Sequence, residues 1–118
     1  MEKILDTLFE EIKEKIKNDN PEKSYTAFLA NSGSENIAKK VVEEAFETAL
    51  ASIKGDDHKN GKKQIILETA DLIYHTLVLL AVNNVELSQV LEELEERRKN
   101  KDLSQKAINK NKTKLYGK

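Results

Sequence analysis

Four carboxylates at matching spacings are the residues of this chain whose arrangement could do chemistry. Glu44 and Glu47 lie three residues apart, and Glu68 and Asp71 repeat that spacing further along the sequence. On helices, each pair would point both side chains the same way, so two facing pairs would form a cage of oxygens. Such hard ligands suit Mg²⁺ or Mn²⁺, and Mg²⁺ usually completes its coordination with substrate phosphates. The pattern therefore indicates chemistry on a nucleotide or a pyrophosphate.

The second pair lies in an apolar segment. Across residues 65–82 apolar side chains occur at every helical angle, which is typical of a helix buried on most sides. Gln64, Glu68, Asp71 and His75 nevertheless fall on one stripe, within about 60° of one another. A buried carboxylate without a partner costs several kcal/mol or takes up a proton. The partner is either a lysine of a neighbouring helix or, as we favour, a divalent cation.

The first pair has a less distinctive setting. Glu44, Glu47, Lys40 and Glu43 lie beside the apolar arc of their predicted helix. A solvated polar face explains this arrangement as well as a functional one does. The first pair alone therefore does not decide between a surface and a site.

Composition excludes several other classes of site. The chain has 118 residues, no Cys and two His, so disulfides, thiolate sites and a Cys nucleophile are excluded, and little is left for zinc. Neither GxxxxGK[ST] nor GxGxxG occurs, which excludes a P-loop or Rossmann enzyme. The N-terminus is charged throughout, unlike a signal peptide. We therefore expect a soluble cytoplasmic protein that does not enter a membrane.

The elements that must position the carboxylates are helices. Four Gly, one Pro and six aromatic residues disfavour an all-β fold, and no strand-like alternation is present. The apolar spacing predicts an all-α bundle of four longer helices plus a short one. The predicted elements are a first helix with apolar positions from Ile4 to Ile16 that is stopped by residues 18–21, a short helix at 24–29 capped by Ser24, a helix from the N-cap Ser34 to Gly55, a loop at 55–61 containing His58, a helix at 62–82 and a last helix at 86–99.

The charge distribution predicts one domain and a tail. Residues 101–118 hold six Lys and one Asp, a net charge of +5, whereas residues 1–100 have a net charge of −6. We predict a domain over residues 1–99 and a basic tail over 100–118 that is disordered or weakly helical. A solvated tail is the simplest interpretation of the lysines. The alternative is that the tail binds nucleic acid or a phosphorylated ligand. Because we favour the solvated tail, we expect no nucleic-acid partner.

The acidic motifs are part of a longer set of residues that resembles a known family. The spacing EExxE at Glu43–Glu47, followed by ExxD at Glu68–Asp71, resembles the all-α, MazG-type nucleotide pyrophosphohydrolase superfamily. Within it, SYTA at 24–27 and DLIYH at 71–75 are similar to the family of phosphoribosyl-ATP pyrophosphohydrolases. The resemblance covers about residues 1–99.

The resemblance implies the second step of histidine biosynthesis. In that step phosphoribosyl-ATP is hydrolysed between its α and β phosphates, with Mg²⁺, to phosphoribosyl-AMP and pyrophosphate. Matched by position, Glu44, Glu47, Glu68 and Asp71 would be metal ligands, with Glu44 also counted as catalytic. Glu43 would be catalytic by orienting water, and a solvent-facing acid is its alternative.

Five further residues are candidates for substrate binding, each with a structural alternative. Lys40 could contact the triphosphate or form an ion pair with Glu44, and Arg97 could contact phosphate or simply favour a helix end. Ser24 and Tyr25 supply hydroxyls beside the cleft, although capping and packing also explain them. His75 could bind a ligand carboxylate or the substrate, or be a core histidine.

The apolar segment at 65–82 also predicts self-association. A single four-helix chain cannot cover it, and the resemblance implies the same, so we predict a homodimer or a larger assembly with packing across a two-fold axis. Two other functions stay open on the sequence alone. One is a house-cleaning (d)NTP pyrophosphohydrolase of the same fold, and the other is a non-enzymatic helical dimerisation module.

Overall fold

The computed structural model describes residues 3–53 and 58–116. Most of these residues are helical and none of them forms a strand, which confirms the predicted all-α class. Compact units are formed by residues up to Val85 and from Glu86 onwards, whereas the predicted boundary after residue 99 stays a prediction. The helices are α1 (Ile4–Asn18), α2 (Tyr25–Asn31), α3 (Ser34–Ile53), α4 (His58–Val82), α5 (Leu87–Lys99) and α6 (Lys101–Tyr116).

The first unit is organised around the antiparallel pair α3 and α4. The start of α3 meets the end of α4, where Asn83 Nδ2 donates to Ser34 Oγ at 3.1 Å. In the middle of both helices, Glu44 Oε1 lies 3.6 Å from His75 Nδ1. The residue numbers rise along α3 as they fall along α4, so the two helices run in opposite directions. This register places the predicted acidic pairs opposite each other.

The core of the first unit is aliphatic, with one phenylalanine. α1 packs on α2 and α4, and α2 also contacts α3 and α4. Burial is most complete at Ile12 of α1, Ile37 of α3 and Val78 of α4. The other buried apolar residues of this unit are Phe9, Ala27, Leu29 and Leu77. The core thus holds α3 and α4 in place from one side only.

Local signals fix the start of α2 and α3. Ser24 is extended and its Oγ accepts from the Ala27 N–H at 3.2 Å, which confirms the predicted N-cap. The prediction that Ser34 is an N-cap is wrong, because Ser34 is the first residue of α3. Gly33 precedes it at φ 98°, a left-handed conformation that glycine adopts without a steric penalty. The break between α2 and α3 is therefore made by the glycine.

α4 ends as predicted but starts earlier. Its C-terminus closes in a Schellman motif, with Asn84 at φ 59° and the Val85 N–H donating to the Leu80 carbonyl at 3.0 Å. The predicted loop over 55–61 is wrong from His58 onwards, because α4 begins there. Gly55, the predicted end of α3, lies outside the described residues. Helix formers after His58 outweigh the single helical glycine in that stretch, whose cost is about 1 kcal/mol.

The second unit consists of α5 and α6. α5 begins after Glu86, whose N–H donates to Gln89 Oε1 at 2.9 Å, close to the predicted bounds. The tail was predicted to be disordered or weakly helical, and the structure describes it as the helix α6. The segment lacks apolar periodicity, but Lys, Gln, Ala and Leu are good helix formers, and their intrinsic preference accounts for the difference.

Two helices of the first unit keep apolar stripes on the surface. Exposed residues recur at helical spacing on α3, and a second set lies on α4. α4 is also long and apolar enough to span a membrane over Gly61–Val82, although it carries Glu68, Asp71 and a buried His75 within that length. The exposed residues are Val42, Phe46 and Ile53 on α3, and Ile66, Leu67 and Ile73 on α4.

Candidate functional site

Three of the four carboxylates predicted as metal ligands come together between α3 and α4. Glu44, Glu68 and Asp71 each offer an oxygen, and these oxygens all lie within 4.8 Å of one another. Their burial is graded, because Glu44 is 7 % exposed, Glu68 is half-buried and Asp71 is exposed. We call these three residues the carboxylate cluster. It has one closed side and one side open to solvent, as a site for a cation and its ligand requires.

The electrostatics of the cluster disfavour three negative charges. Burial raises the pKa of the Glu44 carboxyl, and the nearby charge of Asp71 raises it further. His75 and Lys40 act on this pKa in the opposite direction without cancelling the rise. A positive charge placed among the three oxygens would remove this conflict.

Glu47, the fourth predicted ligand, lies next to the cluster. The pKa of the Glu47 carboxyl is raised, mainly by its interaction with the neighbouring carboxyl group of Glu68. The structure thus brings Glu47 within reach of the other three acids, on the exposed side.

The fit to a metal rests on one oxygen. Gln64 Nε2 donates to Glu68 Oε1 at 2.6 Å, which leaves Glu68 Oε2 buried without a hydrogen-bond partner. Buried polar atoms nearly always have a partner, and an ion is one way to supply it. An all-oxygen donor set of this kind fits a hard divalent cation.

His75 is held by two partners rather than aimed at a ligand. Its Nδ1 lies 2.9 Å from the Asp71 carbonyl oxygen, which only accepts, so Nδ1 carries the hydrogen. Its Nε2 then accepts from the Tyr25 hydroxyl at 2.8 Å. Because both ring nitrogens are used and the residue is 6 % exposed, His75 connects Tyr25 to the cluster. Its predicted role in substrate binding stays a prediction.

A second contact between hydroxyl groups lies beside the histidine and was not predicted from the sequence, although Thr26 was expected to supply a hydroxyl beside the cleft. Thr26 Oγ1 and the Tyr74 hydroxyl form a hydrogen bond between α2 and α4. The Tyr74 ring also meets the His75 ring edge to face, with 5.8 Å between the ring centres. The motifs SYTA and DLIYH contain all four residues, and their adjacency was the available signal. The side chains of the two motifs therefore contact one another where α2 packs on α4.

Lys40 lies close to the carboxylates of both Glu43 and Glu44. Its Nζ is 3.3 Å from Glu43 Oε2 and 3.9 Å from Glu44 Oε1. The hydrogen bond to Glu43 is the main cause of the raised pKa of Lys40, which therefore stays charged at neutral pH. Glu43 is itself exposed and is not one of the three residues of the carboxylate cluster.

The last two candidates have structural roles within their own elements. Ser24 caps α2, one residue before Tyr25. Arg97 belongs to the second unit, where its Nε donates to Glu93 Oε2 at 2.9 Å. The predicted contact of Arg97 with phosphate stays a prediction.

Comparison with known proteins identifies the group to which this architecture belongs. A phosphoribosyl-ATP pyrophosphatase of Pyrobaculum calidifontis is 45 % identical over 96 residues, which are 81 % of this chain and 96 % of the relative. One from Listeria welshimeri is 48 % identical over 94 residues, covering 80 % and 84 % of the two chains. One from Metallosphaera sedula is 48 % identical over 79 residues, covering 67 % and 80 %.

The match extends over all the candidate residues. The sequence model of the phosphoribosyl-ATP pyrophosphohydrolases matches residues 3–98, which include α1–α4 and nearly all of α5. α6 lies beyond it. With a match over most of its length and relatives at this level of identity, the chain belongs to the phosphoribosyl-ATP pyrophosphohydrolase family.

Proposed function

We propose that this chain hydrolyses phosphoribosyl-ATP to phosphoribosyl-AMP and pyrophosphate, the second step of histidine biosynthesis, in the cytoplasm and with Mg²⁺. The observation that carries the proposal is the carboxylate cluster in a chain of this family. Three converging carboxylates repel one another when ionised, so their proximity is best explained by a cation between them.

Mg²⁺, or Mn²⁺ in its place, is assigned to Glu44, Glu47, Glu68 and Asp71. Glu68 Oε2, buried and without a hydrogen bond, supports its role as a ligand. Glu47, whose carboxyl group lies beside that of Glu68, would complete the ligand set from the exposed side. When bound, the cation supplies neutralisation of phosphate charge and makes water more acidic. Negative charge on the substrate thereby becomes compatible with an acidic site.

Lys40 and Glu43 act on the open side of the cluster. Lys40 would exchange its hydrogen bond with Glu43 for one with a phosphate oxygen of the substrate. Glu43, released from Lys40, would then accept a hydrogen bond from the attacking water and orient it. This exchange gives the two residues linked roles, in which the substrate itself frees Glu43.

Tyr25 and His75 hold the inner side of the site. The Asp71 carbonyl fixes the hydrogen of His75 on Nδ1, so Nε2 stays an acceptor for the Tyr25 hydroxyl. Burial raises the pKa of Tyr25, so the hydroxyl keeps its proton at neutral pH. Ser24 fixes the start of α2 and hence the position of Tyr25, and Arg97 is a further candidate for phosphate binding.

The decisive test is turnover. Pyrophosphate release should be seen with phosphoribosyl-ATP, should need Mg²⁺ and should be much slower with canonical dNTPs. Glu68→Gln and Asp71→Asn should each lower kcat/KM at least about 100-fold, because each removes one ligand charge. Glu35→Gln, which changes an exposed acid at the start of α3, is the matched control and should keep full activity. Full activity in both ligand variants would reject the metal assignment, and faster dNTP turnover would reject the substrate.

We also propose that the chain forms a homodimer through the apolar stripes of α3 and α4. Phe46 is 65 % exposed and Ile66 is 62 % exposed, and large apolar side chains at this exposure favour a protein partner. Phe46→Glu should produce a monomer in analytical ultracentrifugation, whereas Ile4→Glu on α1, a change at similar exposure outside the stripes, should not. A wild-type chain that sediments as a monomer at micromolar concentration would reject this proposal.

A further inference from the structure

A groove beside α2 is not accounted for by the assigned residue roles. It has a volume of about 800 Å³ and lies between the turn at 20–24 and the outer face of α2. Pockets for small molecules usually enclose about 300–1,000 Å³, so the groove is large enough for a nucleotide base and its sugar. None of the three cluster carboxylates lines it. We call it the α2 groove.

Two exposed aromatic rings form one wall of the α2 groove. Tyr25 and Phe28 lie three residues apart on α2, so they occupy the same face of the helix. They are 53 % and 57 % exposed, although aromatic side chains are normally among the most buried by area. A pair of uncovered rings along a groove is the arrangement used to stack nucleobases.

Tyr25 also connects the α2 groove to the carboxylate cluster. Its ring lines the groove, while its hydroxyl is held 2.8 Å from His75 Nε2. The same imidazole has its Nδ1 3.6 Å from Glu44 Oε1. The groove and the cluster are therefore connected through one tyrosine and one histidine side chain.

The polar groups of the α2 groove favour a base over a phosphate. Glu22 and Lys23 contribute one charge of each sign, so the lining has no net positive charge to attract an anion. Asn20 and Asn31 line it as well, and an asparagine amide can pair with the acceptor and donor on the N7 and N6 edge of an adenine. The side-chain oxygen Oδ1 of Asn20 already accepts from the Glu22 N–H at 2.9 Å, which leaves Asn31 as the better candidate for this contact.

We propose that the α2 groove binds the purine base of the nucleotide substrate, stacked on Tyr25 and Phe28 with Asn31 at its edge. The inference rests on the proposed function for the identity of the substrate. It adds a specificity determinant outside the acidic motifs. The phosphates then lie beyond Tyr25 at the carboxylate cluster, and Phe28 touches only the base.

Phe28→Ala gives the kinetic test. Loss of one stacking ring should raise KM for phosphoribosyl-ATP about 5- to 100-fold and change kcat less than about threefold, because Phe28 lies away from the reacting phosphates. Phe28→Tyr should restore KM, since any aromatic face stacks. Ile4→Ala, which removes an apolar side chain of similar exposure on α1, is the control. An unchanged KM in Phe28→Ala would overturn the proposal.

A binding test without catalysis separates this inference from the proposed function. AMP and CMP are titrated without Mg²⁺ and followed by NMR, with saturation transfer to the base protons and nuclear Overhauser effects to the Phe28 ring. AMP should bind more tightly than CMP and contact Phe28. Equal binding of the two, or contacts elsewhere, would overturn the groove assignment even in an active enzyme. A wild type that turns over no phosphoribosyl-ATP would reject the proposed function, while AMP binding would still decide the groove.

Measuring self-association tests whether the α2 groove binds a second protein chain and not a base. If Phe28→Ala weakens dimerisation in sedimentation and leaves AMP binding intact, the α2 groove contacts protein, and the base proposal is wrong. If sedimentation is unchanged and AMP binding is lost, the proposal stands.

Discussion

Glu44→Gln should have opposite effects on stability without and with Mg²⁺. The pKa of Glu44 is raised in the folded chain, so the fold favours the neutral form, and an uncharged Gln should stabilise the metal-free protein at neutral pH. Two unit charges 4.8 Å apart, the limit within which the cluster oxygens lie, repel by about 1 kcal/mol in water and by about 3 kcal/mol at an effective protein dielectric. Because Asp71 is exposed, the lower value applies.

Thermal unfolding followed by helical circular dichroism is the assay. For a chain of this length, about 1 kcal/mol corresponds to a Tm about 4 °C higher for Glu44→Gln in EDTA. Mg²⁺ at about 100 times its Kd should stabilise the wild type by about 2.7 kcal/mol. Each tenfold loss of affinity in the variant removes about 1.4 kcal/mol of that gain, so the order of the two Tm values should reverse.

The control for this experiment is Glu35→Gln, an exposed acid with a 4.0 Å ion pair to Lys39. It should change Tm little in either condition, because isolated surface pairs contribute about 0–1 kcal/mol. The reasoning would be refuted by a Glu44→Gln variant that is less stable than the wild type in EDTA and responds normally to Mg²⁺. Glu44 would then be an ion-pair partner of Lys40 or His75 and not a ligand.

Three further outcomes follow from the same structure. The Tm gain of Glu44→Gln in EDTA should shrink as the pH falls towards 4.5, the ordinary pKa of a glutamate carboxyl group, because wild-type Glu44 then becomes protonated and resembles Gln. A gain that grows on acidification would contradict the raised pKa of Glu44. Ile37→Ala, at a fully buried position, should lower the free energy of unfolding in urea by about 2–5 kcal/mol. Ile4→Ala, at an exposed position, should lower it by less than about 0.5 kcal/mol, and equal losses would disprove the assigned core. A chain ending at residue 100 should retain kcat/KM within about threefold, because the family match ends at residue 98, and a larger loss would give α6 a part in turnover.

The contact between the acidic pairs was accessible from the sequence because it depends on angle alone. Two residues three apart on a helix point the same way, and antiparallel neighbours place one such pair opposite another. Glu44, Glu68 and Asp71 are found together on this basis. Glu47 follows the same rule but lies at the exposed edge, where helix angle does not determine how far a side chain reaches.

The features that were mispredicted depend on information that apolar spacing does not contain. α4 begins at His58, because the lysines that follow are good helix formers whose preference outweighs the cost of the glycine and needs no apolar spacing. α6 is helical for a similar reason, as its lysines favour a helix with no core to face. The bond between Tyr25 and His75 joins residues 50 positions apart and needed the packing of α2 on α4.

The antiparallel register of α3 and α4 makes the site tolerant of some length changes and intolerant of others. Asn83 with Ser34 and His75 with Glu44 align the two helices directly, so variation in the length of the segment that joins them leaves the acids opposed. One residue inserted between Glu44 and Glu47 would rotate the second carboxylate by about 100° and remove it from the others. Insertions compatible with activity should therefore be confined to the connection between the two helices.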